Sequence, residues 1–325
     1  MPRMPPEERR IGAHLPLGLG MVKAVDRAHA IGADAIQVFA DNPTSWRRRI
    51  RSPRELPAFQ SRLAELGIRP VAIHAPYLIN LAGPDDDFYR RSVALLASEL
   101  RVAPGFRASF VNVHTGSHRG SGVAVGVERL AAGLCQVLAE AEPAPGPEAM
   151  IVLENSAGGG FGLGVDVEEL AAIADAAAAH DVPRDRLGFC LDAAHLWAAG
   201  VDLSEPAATD AILDAFDHRI GLDRLVMVHL NDSKAERGSN LDRHEHLGAG
   251  RIGEQGLGYL LRHPRLGHVT WFLETPGMDE GYDAINMTRA RDLLAGRPLE
   301  PLPPEALAIS GGSRARTGPA EEPEE

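Results

Sequence analysis

The 325-residue sequence predicts an α/β fold, a closed (β/α)8 barrel whose active site lies at the carboxyl-terminal rim of its strands. Two observations carry this. Short apolar, β-branched runs recur eight times, and segments with helical spacing lie between them. The repeats fill about 290 residues, close to the usual size of such a barrel with insertions. An open doubly wound sheet would normally show fewer repeats and a glycine-rich phosphate loop after its first strand. The "GLG" at 18–20 is too short to be that loop.

In chain order the runs are "IGAHL" (11–15), "AIQVF" (35–39), "PVAIH" (70–74), "FVNVH" (110–114), "MIVLE" (150–154), "LGFCLD" (187–192), "LVMVHL" (225–230) and "VTWFLE" (269–274). They lack strict alternation, which suits strands buried on both faces of a parallel sheet. Helical spacing follows the first run in "GMVKAVDRAHAI", the second in "RELPAFQSRLAEL" and the fifth in "VEELAAIADAAAAH". The barrel is expected over residues 1–295. The segment 296–325 is rich in Pro, Gly and Ala, carries six acids against three arginines, and is expected to be a disordered tail.

The composition is that of a globular protein, 44% hydrophobic and 24% charged. No stretch approaches the ~18–20 apolar residues of a membrane span, and the amino terminus has no apolar run of a signal peptide. Cys135 and Cys190 are far apart and read as buried thiols. A cytoplasmic protein that does not engage a membrane is therefore expected. The net charge of −12 argues against a nucleic-acid ligand only weakly. The acidic tail need not face the working surface, and carboxylates that hold cations are neutralised.

The chemistry is concentrated where the runs end. The third ends in His74, the fourth in His114, the fifth in Glu154 and the sixth in Asp192. The seventh carries His229 one residue before its end, and the eighth ends in Glu274. A polar strand end is ordinary by itself. Six in succession, all imidazole or carboxylate and all on one rim, point to a metal site. His195 lies one helical turn beyond Asp192 and can face the same mouth. The stretch "LDRHEHLGAG" (241–250) adds Asp242 and His244, two residues apart on one side of an extended segment. Five histidines and four carboxylates exceed the needs of one ion. With one bridging carboxylate they serve two or three, and N and O ligands without thiolate suit zinc, with manganese or iron as competitors. His14 is expected to hydrogen-bond a ligand, and His118 and His246 to stand outside the ligand set.

The segments "HAPYLINL" (74–81), "NVHTGSH" (112–118), "LENSAGGG" (153–160), "LDAAHLWAAGVDL" (191–203), "VHLNDSK" (228–234), "DRHEHLGAGRIG" (242–253) and "LET" (273–275) are similar to those of the endonuclease IV family. These are metal-dependent apurinic/apyrimidinic endonucleases of base-excision repair. The resemblance runs from about residue 11 to 295, in order and spacing. It implies a TIM barrel of the xylose-isomerase-like kind with three Zn2+, and Mn2+ or Fe2+ competing at one position. It assigns His74, His114 and Glu154 to one ion. Glu154 bridges to a second, completed by Asp192, His229 and Glu274, and a third takes His195, Asp242 and His244. Glu154 and Glu274 would flank the nucleophile as the catalytic pair. The reaction implied cuts duplex DNA 5′ to an abasic residue, leaving a 3′-hydroxyl and a 5′-deoxyribose phosphate, and also clears blocked 3′ ends. A monomer is expected.

For DNA contact the candidates are Trp46 and Arg47 in "FADNPTSWRRRIRSPRE" (39–55), which also carries Arg48, Arg49, Arg51 and Arg54. Tyr77 and Leu78 match family residues that enter the base stack, and Lys234 and Arg243 stand beside the ligands, either as phosphate contacts or as partners of ligand carboxylates. One position departs from the pattern. Family members place an arginine wedge two residues before the tryptophan, and this chain has Thr44 there. The neighbouring arginines are left as candidates for that role. The competing reading is a sugar isomerase or epimerase on the related xylose-isomerase-like barrel. It would use Glu154, Asp192, His229 and Glu274 alone, with no role for the other five ligands.

Overall fold

The computed structural model describes residues 9–49, 52–141, 148–277 and 280–308. Eight parallel strands close into a barrel: β1 (Ile11–His14), β2 (Ala35–Val38), β3 (Val71–His74), β4 (Ala108–His114), β5 (Met150–Glu154), β6 (Leu187–Asp192), β7 (Leu225–His229) and β10 (Thr270–Leu273). The remaining two strands, β8 (Asp232–Ser233) and β9 (His244–Glu245), form a small antiparallel ribbon over the rim. Closure runs β1–β10–β7–β6–β5–β4–β3–β2, with β1 pairing both β10 and β2. The helices are α1 (Met21–Ala30), α2 (Leu56–Leu66), α3 (Asp86–Val102), α4 (Val123–Glu140), α5 (Val167–Ala179), α6 (Ala193–Ala198), α7 (Pro206–Arg219), α8 (Gly253–Arg262), α9 (Asp283–Ala295) and α10 (Pro304–Leu307). Among the described residues no helix is long and apolar enough to cross a membrane.

Local chemistry explains the boundaries. Asp85 and Asp166 cap α3 and α5 by accepting from the Phe88 and Glu169 amides. Gly67, at φ 68°, ends α2 in the left-handed conformation that glycine tolerates. A Cβ on Gly12 would lie 2.5 Å from the Ala35 carbonyl oxygen, so β1 approaches β2 only because that side chain is missing.

The core has two parts. The larger lies between strands and helices; the smaller, inside the barrel, comprises Ala35, Ala72, Val152, Cys190, Met227 and Phe272. Residues two apart on a strand share a face. The next inward layer toward the carboxyl ends is therefore Gln37, His74, Glu154, Asp192, His229 and Glu274. An apolar plug closes the barrel, and the polar layer above it is held at the mouth.

Part of the segment expected to be a tail from residue 296 is held on the barrel. Leu299 packs on the core, Arg289 donates to the Glu300 carbonyl at 2.5 Å, and the Ala306 carbonyl accepts from His246 Nε2 at 3.1 Å. One buried alanine and two carbonyl acceptors bind residues 299–306 to the barrel despite their proline content. Residues 309–325 lie outside the described residues.

Candidate metal centre

Three groups of potential ligand atoms adjoin at the barrel mouth: His74, His114 and Glu154; Glu154, Asp192, His229 and Glu274; and Asp192, His195 and His244. Two ligand atoms of a tetrahedral ion at about 2.0–2.2 Å stand about 3.3–3.6 Å apart. The separations here bracket that range. Glu154 Oε2 lies 3.6 Å from His74 Nε2 and 3.7 Å from His114 Nε2. His229 Nδ1 lies 3.1 Å from Glu154 Oε1, 3.3 Å from Glu274 Oε2 and 3.8 Å from Asp192 Oδ2. Asp242, half exposed, reaches His195 Nε2 at 3.4 Å and His244 Nε2 at 3.0 Å. Asp192 Oδ2 also lies 3.7 Å from His244 Nε2, so it stands within reach of two groups.

The imidazoles are oriented from behind. Nδ1 of His74, His195 and His244 faces the carbonyls of Ala75, Asn155 and Glu274 at 2.7, 2.9 and 2.9 Å. In each ring that contact places the proton on Nδ1 and leaves the Nε2 lone pair toward the mouth. His229 is reversed: its Nε2 faces Gln37 Oε1 at 3.1 Å, which leaves Nδ1 for the centre. The carboxylates are held similarly. Asn112 donates to Glu154 Oε2, Asn231 to Asp192 Oδ2 and Gln37 to Glu274 Oε1, each at 2.6 Å. His14 Nδ1 lies 3.4 Å from the same Glu274 oxygen. Asp192 also caps α6 through the His195 amide, which fixes two candidate ligands relative to each other.

Buried polar atoms are ordinarily satisfied. Among the described residues, Glu154 Oε1, His229 Nδ1 and His244 Nε2 are buried with no well-directed hydrogen bond, only the close ligand-to-ligand approaches above, and all three point into the centre. Burial by itself would lower the His195 and His244 pKa values. Asp192 and Asp242 outweigh it, raising His195 well above the usual range and His244 up to about 10. Burial likewise favours neutral Glu154, but His229 and His114 hold it well below the ordinary carboxylate range. Four carboxylates gathered over an apolar plug create a field that requires positive charge. Divalent cations fit that field, the donor types and the spacing.

Gln37, Asn112, Asn155 and Asn231 were not among the candidates read from the sequence. The available signal was an amide at an inward strand position, or immediately after one. It acquires meaning only once the strand register is known.

The proposed DNA contacts are placed less uniformly. Trp46 does not stand free: it packs edge-on against Phe88 at 5.1 Å, with the Arg91 guanidinium 4.2 Å over its ring. Arg48 turns inward to the buried Glu99, Nε to Oε1 at 3.2 Å, and Arg49 pairs with Asp41. Arg47 is exposed; Arg51 lies outside the described residues. Tyr77 is exposed and stacks with His114 at 6.1 Å, with Leu78 half-buried beside it. Lys234 Nζ lies 3.3 Å from Glu245, and exposed Arg243 donates to the Asp242 carbonyl. The basic run is thus partly neutralised within the chain.

Burial pushes the Glu99 carboxyl up from its ordinary 4.5 to about 7, with Arg48 opposing. A group that binds its proton more tightly when folded makes stability fall as pH rises from 4.5 through about 7. Glu99→Gln is expected to remove that fall. Its stability relative to the parent should improve between pH 5 and 7.5 by up to about 3 kcal/mol, read by denaturant unfolding at the two values. Parallel pH dependence in the two proteins would show that Glu99 titrates normally.

Beside the centre lies a cavity of about 570 Å3, lined among others by Tyr77, Leu78, His114, Arg119, His195 and Asp242. It opens a path from the surface to the first and third ligand groups.

Comparison with known proteins agrees with this geometry. The xylose isomerase-like TIM barrel family matches residues 25–296. "Probable endonuclease 4" of Methanoculleus marisnigri is 39% identical over 283 residues, covering 87% of this chain and 98% of that protein. Its counterpart in Chloroflexus aggregans is 38% identical over 286 residues, covering 88% and 98%. The crystal structure of endonuclease IV from Thermus thermophilus superposes with a TM-score of 0.75 at 39% identity, covering 88% and 99%. Fold, mouth chemistry and near full-length similarity together give one conclusion: the chain belongs to the endonuclease IV family, on a xylose isomerase-like TIM barrel.

Proposed function

We infer that this chain is a zinc-dependent apurinic/apyrimidinic endonuclease of base-excision repair. It hydrolyses the phosphodiester 5′ to an abasic residue in duplex DNA, leaving a 3′-hydroxyl and a 5′-deoxyribose phosphate, and acts also on blocked 3′ ends. The observation that carries this reading is the set of three adjoining ligand groups built from nine side chains. A sugar isomerase would need Glu154, Asp192, His229 and Glu274 and would leave His74, His114, His195, Asp242 and His244 without a task.

His74, His114 and Glu154 would hold one zinc, Glu154 with Asp192, His229 and Glu274 a second, and His195, Asp242 and His244 a third. Mn2+ or Fe2+ would compete at one position. Bound cations would acidify a water and screen the phosphoryl oxygens. The chain's own groups do the rest. Glu154 and Glu274 flank the reacting phosphate, with Asn112 and Gln37 fixing their rotamers. Backbone carbonyls keep three imidazoles in the tautomer that presents Nε2. Arg47, Lys234 and Arg243 would contact phosphates, and Tyr77 with Leu78 would border the gap left by the missing base. The protein would act as a cytoplasmic monomer.

The test is incision of a duplex carrying one tetrahydrofuran abasic analogue, with metals per chain counted in the same preparation. The analogue cannot undergo β-elimination, so a cut on its 5′ side with a 3′-hydroxyl end reports hydrolysis. A preparation with three metals per chain that leaves this duplex intact would overturn the assignment.

A further inference from the structure

A single exposed apolar side chain is ordinary, but Phe161, 62% exposed, stands between two residues that line the cavity beside the metal centre, Gly159 and Gly162. Its backbone is at φ 67°, a conformation that bulky residues rarely adopt and that persists only where neighbours enforce it. The neighbours are identifiable. The Phe161 carbonyl accepts from the His118 amide at 3.0 Å, Ser117 Oγ donates to the Gly160 carbonyl at 2.6 Å, and Leu163 N donates to the Gly116 carbonyl at 2.9 Å. These bonds clamp the turn 158–163 to the segment after β4. The flanking Gly159 and Gly162 line the cavity itself. Behind the ring stands His118, centroid to centroid 5.3 Å, and the next residue, Arg119, also lines the cavity. A strained turn thus holds an aromatic ring outward, supported on one side, at the lip of the pocket.

We propose that Phe161 is a positioning residue for duplex substrate, stacking on the nucleobase next to the abasic gap. The inference rests on the endonuclease reading and adds to it a sequence preference. A missing base leaves its neighbours with one unstacked face, and an exposed phenyl ring fills that space without hydrogen-bond readout. Stacking is stronger on the larger purine surface, so the enzyme favours abasic sites with a purine neighbour. Phe161 also supplies, from a different loop, an inserted group at a distance from Arg48 and Arg49, which are tied to Glu99 and Asp41.

The experiment uses the holoenzyme and tetrahydrofuran duplexes that differ only in whether purine or pyrimidine flanks the analogue. Phe161→Gly removes the ring and relieves the backbone, and Phe161→Trp keeps an aromatic. Phe161→Gly is expected to raise KM on the order of tenfold, to leave kcat within about twofold, and to lose the purine preference. Phe161→Trp should retain both. A 2-aminopurine beside the analogue, followed by equilibrium binding, should be quenched by wild type and by Phe161→Trp but not by Phe161→Gly. If wild type cuts the duplex while Phe161→Gly matches it in KM, flanking-base preference and quenching, the stacking role is wrong and the endonuclease reading stands. If wild type does not cut, the binding arm still decides whether Phe161 stacks, and absence of quenching overturns the proposal.

Discussion

Glu154→Gln is expected to lower incision of the abasic duplex by about a thousandfold or more, roughly 4 kcal/mol in the barrier, while leaving the fold intact. Glu154 is, with Asp192, one of two carboxylates common to two ligand groups, and it alone joins the His74–His114 pair to the group around His229. Both of its oxygens are committed: Oε2 lies near His74 and His114 while accepting from Asn112, and Oε1 faces His229. The amide that replaces it has one acceptor. Asn112 selects that oxygen, because the alternative orientation sets two NH2 groups against each other. The NH2 then occupies the Oε1 position, where it offers protons in place of a ligand lone pair. One negative charge and one ligand are removed from between two groups by a change of a single atom, so circular dichroism should be unchanged. Metal content should fall with activity. Turnover near the parent's, with full metal content, would show that Glu154 does not join the two groups.

Much of the barrel and its mouth could be read from the sequence because two short-range rules coincide there. Parallel strands buried on both faces give apolar runs, and the residue ending each run belongs to the inward face at the functional rim. His74, His114, Glu154 and Asp192 each end their strands, as expected. His229 closes β7 instead of preceding its end, since Leu230 lies beyond the strand, and Glu274 follows β10 by one residue. These are shifts at strand ends, where assignments vary most. The rest depended on pairings across long sequence distances. Gln37 contacts a histidine 192 residues away, and nothing local marks it. Arg48 read as a free cation because Glu99, buried on α3, is distant in sequence. The packing of Trp46, with the Arg91 guanidinium over its ring and Phe88 edge-on, was not legible because both partners lie on α3. The segment after residue 296 read as a tail because composition cannot register two carbonyls accepting from buried side chains.

Asp232→Asn is expected to cost about one metal ion per chain and on the order of a hundredfold in incision, although Asp232 touches neither substrate nor any candidate ligand. The loop that carries Asp242 and His244 leaves β8 and returns through β9, and Asp232 ties its far side. Its Oδ1 accepts from the Ser233 and Ile252 amides at 2.8 and 3.0 Å, and its Oδ2 from those of Gly248 and Gly250 at 2.9 and 3.0 Å. Burial raises its carboxyl to about 6 against the pull of these donors, so above that pH both oxygens are acceptors. The Gly253 amide reaches both oxygens more loosely, at 3.4 and 3.3 Å. An asparagine would turn its NH2 toward at least two of these amides and leave those donors unpaired, each at a cost of about 1–3 kcal/mol. The loop should relax, and His244 would leave its Nδ1 contact with the Glu274 carbonyl. Gly250→Ala approaches the same point from the other side, because a Cβ there would collide with the Asp232 carboxylate and the Ser233 carbonyl. If the loop's placement governs the His195–Asp242–His244 group, both variants should lose metal from it while the groups around Glu154 stay loaded. Three metals per chain and parental incision in both variants would show that β8, β9 and the ligands hold this loop without Asp232.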